Sequence, residues 1–244
     1  MRCAGAFLAI LLLAPAATAG EGYDDMIERG RASMRARDYS GAAEAFEQAA
    51  RLRPDETDAW FRLGLARSSN QEPDAAIEAY TKAAELDPTH AKARNNIGNV
   101  HFRRGEYEAA LAGYEKALAI NPDYLLALYH QGWVLRHFNR NEEAEAAFTH
   151  CLRLEPTSNR EAMTRLDCLF FFGTLRFRAE QHAETAQAME QVLAINPGHT
   201  EAHYYLAMSY RRLGRVDEAR EHLEIHRRML RAARRDEPVE RAEP

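Results

Sequence analysis

The sequence is poor in cysteine, with three among 244 residues, and poor in the β-branched residues that favour strands. So few cysteines exclude a disulfide-stapled miniature fold. Ala, Leu, Glu and Arg dominate instead, so the summed intrinsic preferences favour helix. An excess of positive charge is missing too: 32 Lys and Arg stand against 37 Asp and Glu, a net charge of −5. A nucleic-acid partner, which needs a domain-wide basic field, is therefore not expected. Also absent are the phosphate-binding loop, the dinucleotide fingerprint, the nucleophile elbow and Cys-x-x-Cys. The pairs His199 with His203 and His222 with His226 each span one helical turn, as two metal ligands would, but neither carries the Glu of a metalloprotease motif. These absences predict a chain that is no enzyme and uses neither cofactor nor metal.

Long apolar runs are lacking, with one exception. Met1 and Arg2 precede an apolar stretch from Phe7 to Leu13, followed by Pro15 and the small residues Ala17-Thr18-Ala19. That is the layout of a signal peptide over residues 1–19, cleaved after Ala19. A membrane-spanning helix needs about 20 apolar residues, and Pro15 interrupts a stretch already short of that. Cys3 lies before the apolar run, where it cannot be the lipid-modified cysteine of a lipoprotein. The expected mature product begins near Gly20, inserts in no membrane and is periplasmic or secreted. With 46% hydrophobic and 28% charged residues, it has enough apolar material for a sizeable core.

What the sequence does have is a period. Pro54, Pro88, Pro122 and Pro156 fall 34 residues apart, and each closes a similar phrase: RLRP, ELDP, INP, RLEP. A fifth phrase, ending at Pro197, comes 41 residues after Pro156, one period plus seven. With the proline at position 32, the repeats are 23–56, 57–90, 91–124, 125–158, 166–199 and 200–233. Position 8 then reads Gly30, Gly64, Gly98, Gly132, Gly173 and Ala207, and position 20 reads Ala42, Ala76, Ala110, Ala144, Thr185 and Ala219. Position 24 is large and apolar: Phe46, Tyr80, Tyr114, Phe148, Met189 and Leu223. Positions 4, 7, 8 and 11 share one helix face, and 20, 24 and 27 share a second, so each repeat is an antiparallel helix pair. Gly105, Asn139 and Gly214 at position 15 suit a left-handed helix end, and Thr89, Asp123 and Thr200 stand where the next helix needs an N-cap.

This pattern resembles the tetratricopeptide repeat family, most fully in AKARNNIGNVHFRRGEYEAALAGYEKALAINPDY from Ala91 to Tyr124. The resemblance covers residues 23–233, within an expected repeat domain of residues 20–233. It implies an all-α, right-handed superhelical solenoid of six helix-turn-helix repeats, with the first helices lining a concave groove. Departures are local: Met26 and Arg29 replace the usual aromatic and leucine in the first repeat, and Arg231 replaces the proline in the sixth. Residues 234–244, of mixed charge with two prolines, are expected to be a disordered tail.

The resemblance further implies that positions 2, 5, 9, 12 and 13 of each first helix line the groove. In repeats three and four, the last four of these are Asn95, Asn99, Phe102 and Arg103, then Tyr129, Trp133, Arg136 and His137. Amides that can hold an extended backbone alternate with rigid aromatics and cations, which suits a protein or peptide partner. Position 13 is basic in five repeats, as Arg35, Arg103, His137, Arg178 and Arg212. That row has two readings, a cationic rail for an acidic partner or cations placed against the helix dipole. The expected function is a non-enzymatic interaction scaffold holding a polypeptide in the groove; the alternative is a structural or self-associating subunit of a cell-envelope assembly. The oligomeric state is left open.

The seven extra residues predict that the first helix of repeat five starts near Asn159 and projects about two turns beyond its neighbours, exposing Met163 and the Phe170 to Phe172 region. Cys151 and Cys168 are the only cysteines after the signal peptide. The family stacking puts them on facing helices, making them a candidate disulfide if their Cα atoms come within about 7 Å.

Overall fold

The computed structural model of the protein describes residues 22–236; the expected signal peptide and the last eight residues lie outside that range. Among the described residues there are twelve α-helices and no strand. They form two compact units divided after Asp87. The first holds α1 (Tyr23–Arg35), α2 (Tyr39–Leu52), α3 (Thr57–Ser69) and α4 (Pro73–Leu86). The second holds α5 (Ala91–Arg103), α6 (Tyr107–Ile120), α7 (Leu125–His137), α8 (Asn141–Arg153), α9 (Asn159–Arg178), α10 (His182–Ile195), α11 (Thr200–Arg212) and α12 (Val216–Asp236). Each odd-numbered helix packs against the even-numbered helix that follows it.

The packing inside each pair follows from positions 8 and 24. A Cβ added to Gly132 would stand 2.6 Å from the Phe148 ring, and at Gly64 it would stand 2.5 Å from the ring of Tyr80. The absent side chain is thus the seat of the ring, and Phe148 and Tyr80 are 0% and 1% exposed. Burying one such side chain contributes roughly 1.5–3 kcal/mol. Gly173 seats Met189 in the same way, and Thr185, the one hydroxyl at position 20, donates to the Gln181 carbonyl one turn back at 3.0 Å. Met26 fills the place of the usual aromatic and is 2% exposed.

The turn inside each pair is the same six times. Arg37, Gln71, Gly105, Asn139, Glu180 and Gly214, all at position 15, have φ between 59° and 80°. The following amide reaches back to the carbonyl five residues earlier, as in Asp38 to Ser33 at 2.9 Å and Arg215 to Tyr210 at 2.9 Å. This Schellman geometry satisfies carbonyls that a helix end otherwise leaves unpaired. Three of the six left-handed residues are neither glycine nor asparagine.

The turn between pairs carries a second recurring lock. Trp60 Nε1 donates to the Pro54 carbonyl at 2.8 Å, an Arg94 guanidinium nitrogen to that of Pro88 at 3.2 Å, and His203 Nε2 to that of Pro197 at 3.1 Å. The N-caps are displaced by one residue from the threonines and aspartate that the sequence suggested. His90 Nδ1 accepts from Ala93 N at 3.1 Å and His199 Nδ1 from Ala202 N at 3.3 Å, while Tyr124 caps α7 without a side-chain bond. An imidazole nitrogen therefore serves where an oxygen was expected.

Two helices are long. α9 has 20 residues where the other first helices have 13, and it begins at Asn159, capped by Ser158 Oγ accepting from Glu161 N at 3.2 Å. Seven residues add about 10 Å of rise and nearly two whole turns, so the apolar face hardly rotates. Met163 on this overhang is 54% exposed. Phe170, Phe171 and Phe172 are instead partly buried, because they fall in the portion of α9 flanked by α8 and α11: Phe171 stacks on Phe148 and Phe170 meets Tyr205. α12 runs to Asp236, past the expected end of the repeats, because Arg231 replaces the proline that stops the other second helices. Residues 234–236 are thus helical rather than part of a disordered tail.

Candidate functional site

In the second unit, α5, α7 and α9 present a face of rings and cations. Trp133 meets Phe102 edge-on with centroids 4.8 Å apart and lies parallel to the His137 ring at 5.8 Å. Tyr107, from the start of α6, closes the group against His137 at 4.4 Å and Phe102 at 5.6 Å. These rings pack on the core formed by Tyr114, Leu128 and Phe148, yet Trp133 and Phe102 stay partly exposed and His137 is exposed. Trp133 therefore does both things its position allowed: it packs on the core and remains partly exposed.

The other expected groove residues divide. Asn99 Oδ1 accepts from the Tyr114 hydroxyl at 3.0 Å, and the residue is partly exposed. Asn95 corrects the expectation: at 1% exposure it lies inside the helix packing, and its amide cannot reach a ligand without displacing neighbours. Its Oδ1 has no hydrogen-bond partner, and its Nδ2 donates only to Asn96 Oδ1 at 3.4 Å. Arg103 is exposed at the end of α5. Tyr129 is partly buried, in ring contact with Phe171 at 6.1 Å. Arg136 lies over the Phe171 ring at 4.7 Å with its Nε buried and unbonded. The basic residues of position 13 are each the last residue of their helix and exposed, which agrees with cations set against the helix dipole, worth about 0.3–1 kcal/mol each.

Electrostatically the face is uneven. Burial pushes the Tyr129 hydroxyl up to about 12, with the Asp167 carboxylate adding to the shift and Arg136 opposing it. Burial also raises Asp167, and burial together with the nearby Arg178 lowers Arg136. His130, beneath the face, stacks on Tyr114 at 5.3 Å; burial first and Arg160 second push it down to about 4. Asp167 and Tyr107 were not singled out from sequence, whereas Phe171 lies in the Phe170 to Phe172 stretch that was expected to be exposed. Asp167 stands at position 2, a groove-lining position in the family pattern, whereas Phe171 and Tyr107 occupy positions that the pattern does not assign to the groove.

Behind the face, Cys151 on α8 and Cys168 on α9 are joined as a disulfide with Cα atoms 6.6 Å apart, and both are fully buried. The histidines of repeat six have partners within the fold. His203 donates from Nε2 to Pro197, which leaves its Nδ1 to accept from His222 Nδ1 at 2.8 Å, and His226 Nδ1 bonds the Thr200 carbonyl at 2.9 Å. Among the described residues no helix is long and apolar enough to cross a membrane.

Comparison with known proteins agrees with this geometry. Models described as "Tetratricopeptide repeat" match residues 27–91, 91–124, 125–158 and 176–236. The stretch they leave between 158 and 176 is the overhang and most of α9. No curated protein matches the chain. Among solved structures it is similar to YrrB, described as a TPR protein with an unusual peptide-binding site, at 25% identity over 77% of this chain and 93% of that one, TM-score 0.66. It is similar in fold to the pilF protein of Pseudomonas aeruginosa, with 18% identity, 85% and 91% coverage and TM-score 0.69. A tetratricopeptide repeat protein from Parabacteroides merdae aligns at 21% identity over 84% and 78%, TM-score 0.63. The period, the seated rings, the repeated turn and these matches together make the chain a member of the tetratricopeptide repeat family.

Proposed function

We propose that this protein is an exported, non-enzymatic scaffold that holds an extended polypeptide against the α5–α7–α9 face. Tetratricopeptide proteins bind proteins or peptides, and the observation that carries the reading here is the Phe102–Trp133–His137 cluster, three rings left partly open to solvent beside Arg136. A rigid aromatic edge next to desolvated polar groups is the composition that concentrates binding energy. The peptide-binding site in the description of YrrB lends support from a structure of the same fold. Export rests on the layout of residues 1–19, and N-terminal sequencing of the native product should begin near Gly20; a product retaining those residues refutes it.

Trp133 is the natural reporter. Trp60 is the other tryptophan, so a Trp60→Phe chain carries a single indole. Titration with peptides that bind should shift the emission of Trp133 saturably. Tight peptide binding that leaves this emission unchanged would place the site elsewhere.

A further inference from the structure

Three arginines of the second unit lie over aromatic rings, and two of them are neutralised. Arg176 covers Phe172 at 4.8 Å and is held by Glu145 and by Glu184, the latter at 3.3 Å. Arg215 covers Tyr210 at 3.7 Å and is paired with Glu218 and Glu190. Arg136, over Phe171 at 4.7 Å, has no ion pair among the described residues, and the charged group that acts most on it is Arg178, which has none among them either. A partly buried guanidinium normally recruits a carboxylate, because desolvation without a partner is costly.

The complementary omission lies on the next helix. Among the described residues Asp167, partly buried on α9, makes no hydrogen bond and no ion pair; His199 is the base that acts on it. Asp167 and Arg136 are not each other's partners, yet both act on the Tyr129 hydroxyl from opposite sides of the balance. Asp167 precedes Phe171 by one turn of α9, about 6 Å along the axis, and the Arg136 guanidinium stands 4.7 Å from the centre of the Phe171 ring, which Tyr129 also meets. Together these steps span about 10 Å, about three residues of extended chain.

We propose that Arg136 with Arg178 and Asp167 form the two poles of one binding site, which takes an extended peptide carrying an acidic and a basic side chain three residues apart. The acidic group meets Arg136, the basic group meets Asp167, and the intervening backbone crosses Tyr129. This rests on the groove reading above and adds to it the charge pattern of the partner. Two desolvated charges of opposite sign, held apart by a ring, fix both the register of the ligand and its sense along the groove, since reversing it brings like charges together.

The test uses the full mature chain with Trp60→Phe and ten-residue synthetic peptides bearing Asp-x-x-Lys, Lys-x-x-Asp, Asp-x-x-Asp, Lys-x-x-Lys or a neutral pair on one common frame. One opposite-charge order is expected to bind at least about tenfold more tightly than either like-charge peptide. Arg136→Gln should erase the advantage of the peptide's Asp over Asn, and Asp167→Asn that of Lys over Gln, each leaving the other preference in place. Because either variant could weaken binding through altered packing, the readout is this selective loss of one preference, with helicity measured beside it. Equal binding of all five peptides, with the Trp133 emission still shifting, overturns the bipolar site and leaves the groove reading standing. Binding by any of them without an emission change overturns the groove reading itself.

Discussion

The six turns of identical geometry allow stability to be altered at sites that touch nothing else. Arg37, Gln71 and Glu180 are exposed, hold φ near 60°, and make no side-chain hydrogen bond or ion pair among the described residues. A left-handed conformation costs an L-residue roughly 1–2 kcal/mol, and glycine avoids that penalty while losing about 0.5–1 kcal/mol through its freer unfolded chain. The net gain per Xaa→Gly change is thus about 0.5–1 kcal/mol. The sites belong to separate repeats with no shared partners, so Arg37→Gly, Gln71→Gly and Glu180→Gly should add to about 2 kcal/mol. At roughly 2–4 °C per kcal/mol for a chain of this size, the triple variant should melt about 4–8 °C higher. The reverse change is equally clean, because a Cβ at Gly105 or Gly214 would meet nothing within 4 Å. Gly105→Ala should therefore lose about 1 kcal/mol for conformational reasons alone. Calorimetry and urea unfolding of the five variants decide the matter. A triple variant less stable than the parent, or a Gly105→Ala chain of unchanged stability, would refute the reasoning.

Gly132→Ala should destabilise by about 1–3 kcal/mol, since its Cβ would press on the Phe148 ring in a packed core; urea midpoints measure it. Reducing the bond between Cys151 and Cys168, 17 residues apart, should cost about 3 kcal/mol by the loop-entropy account, and thiol titration without reductant of a chain starting at Gly20, which omits Cys3, should find no free thiol. His130 is held neutral down to about 4 in the fold against an ordinary 6.5, so between these values the unfolded chain binds more protons. Its contribution is therefore complete above pH 6.5 and lost as the pH falls towards 4, about 2 kcal/mol between pH 7 and 5, and His130→Phe should flatten that slope in urea unfolding.

The fold was legible because each repeat states the same rule six times. One Gly64 is weak evidence, but a small residue at position 8 with a large one at position 24 in every frame defines a helix pair. Legibility failed where geometry depends on neighbours that a period does not describe. Asn95 and Asn99 read as equivalent amides, yet one is buried and the other bonds Tyr114. The caps went to His90 and His199 rather than to the adjacent threonines, since which residue turns its acceptor towards the amide depends on the approach of the chain. The candidate site was half visible: Trp133, Arg136 and Tyr129 stand at groove positions, but that Arg136 lacks the carboxylates given to Arg176 could be seen only with all charges in place.

The bond between Cys151 and Cys168 falls at the one place where the period is interrupted, and it has a mechanical meaning. A chain pulled from its two ends passes tension through the bond and not through the residues it encloses. The 17-residue span from the end of α8 into α9 can then contribute no length until the bond is reduced, which withholds about 50 Å of extension. An array whose outer repeats peel away under load would keep α8 and α9 tethered at that point, and with them the backing of the aromatic face.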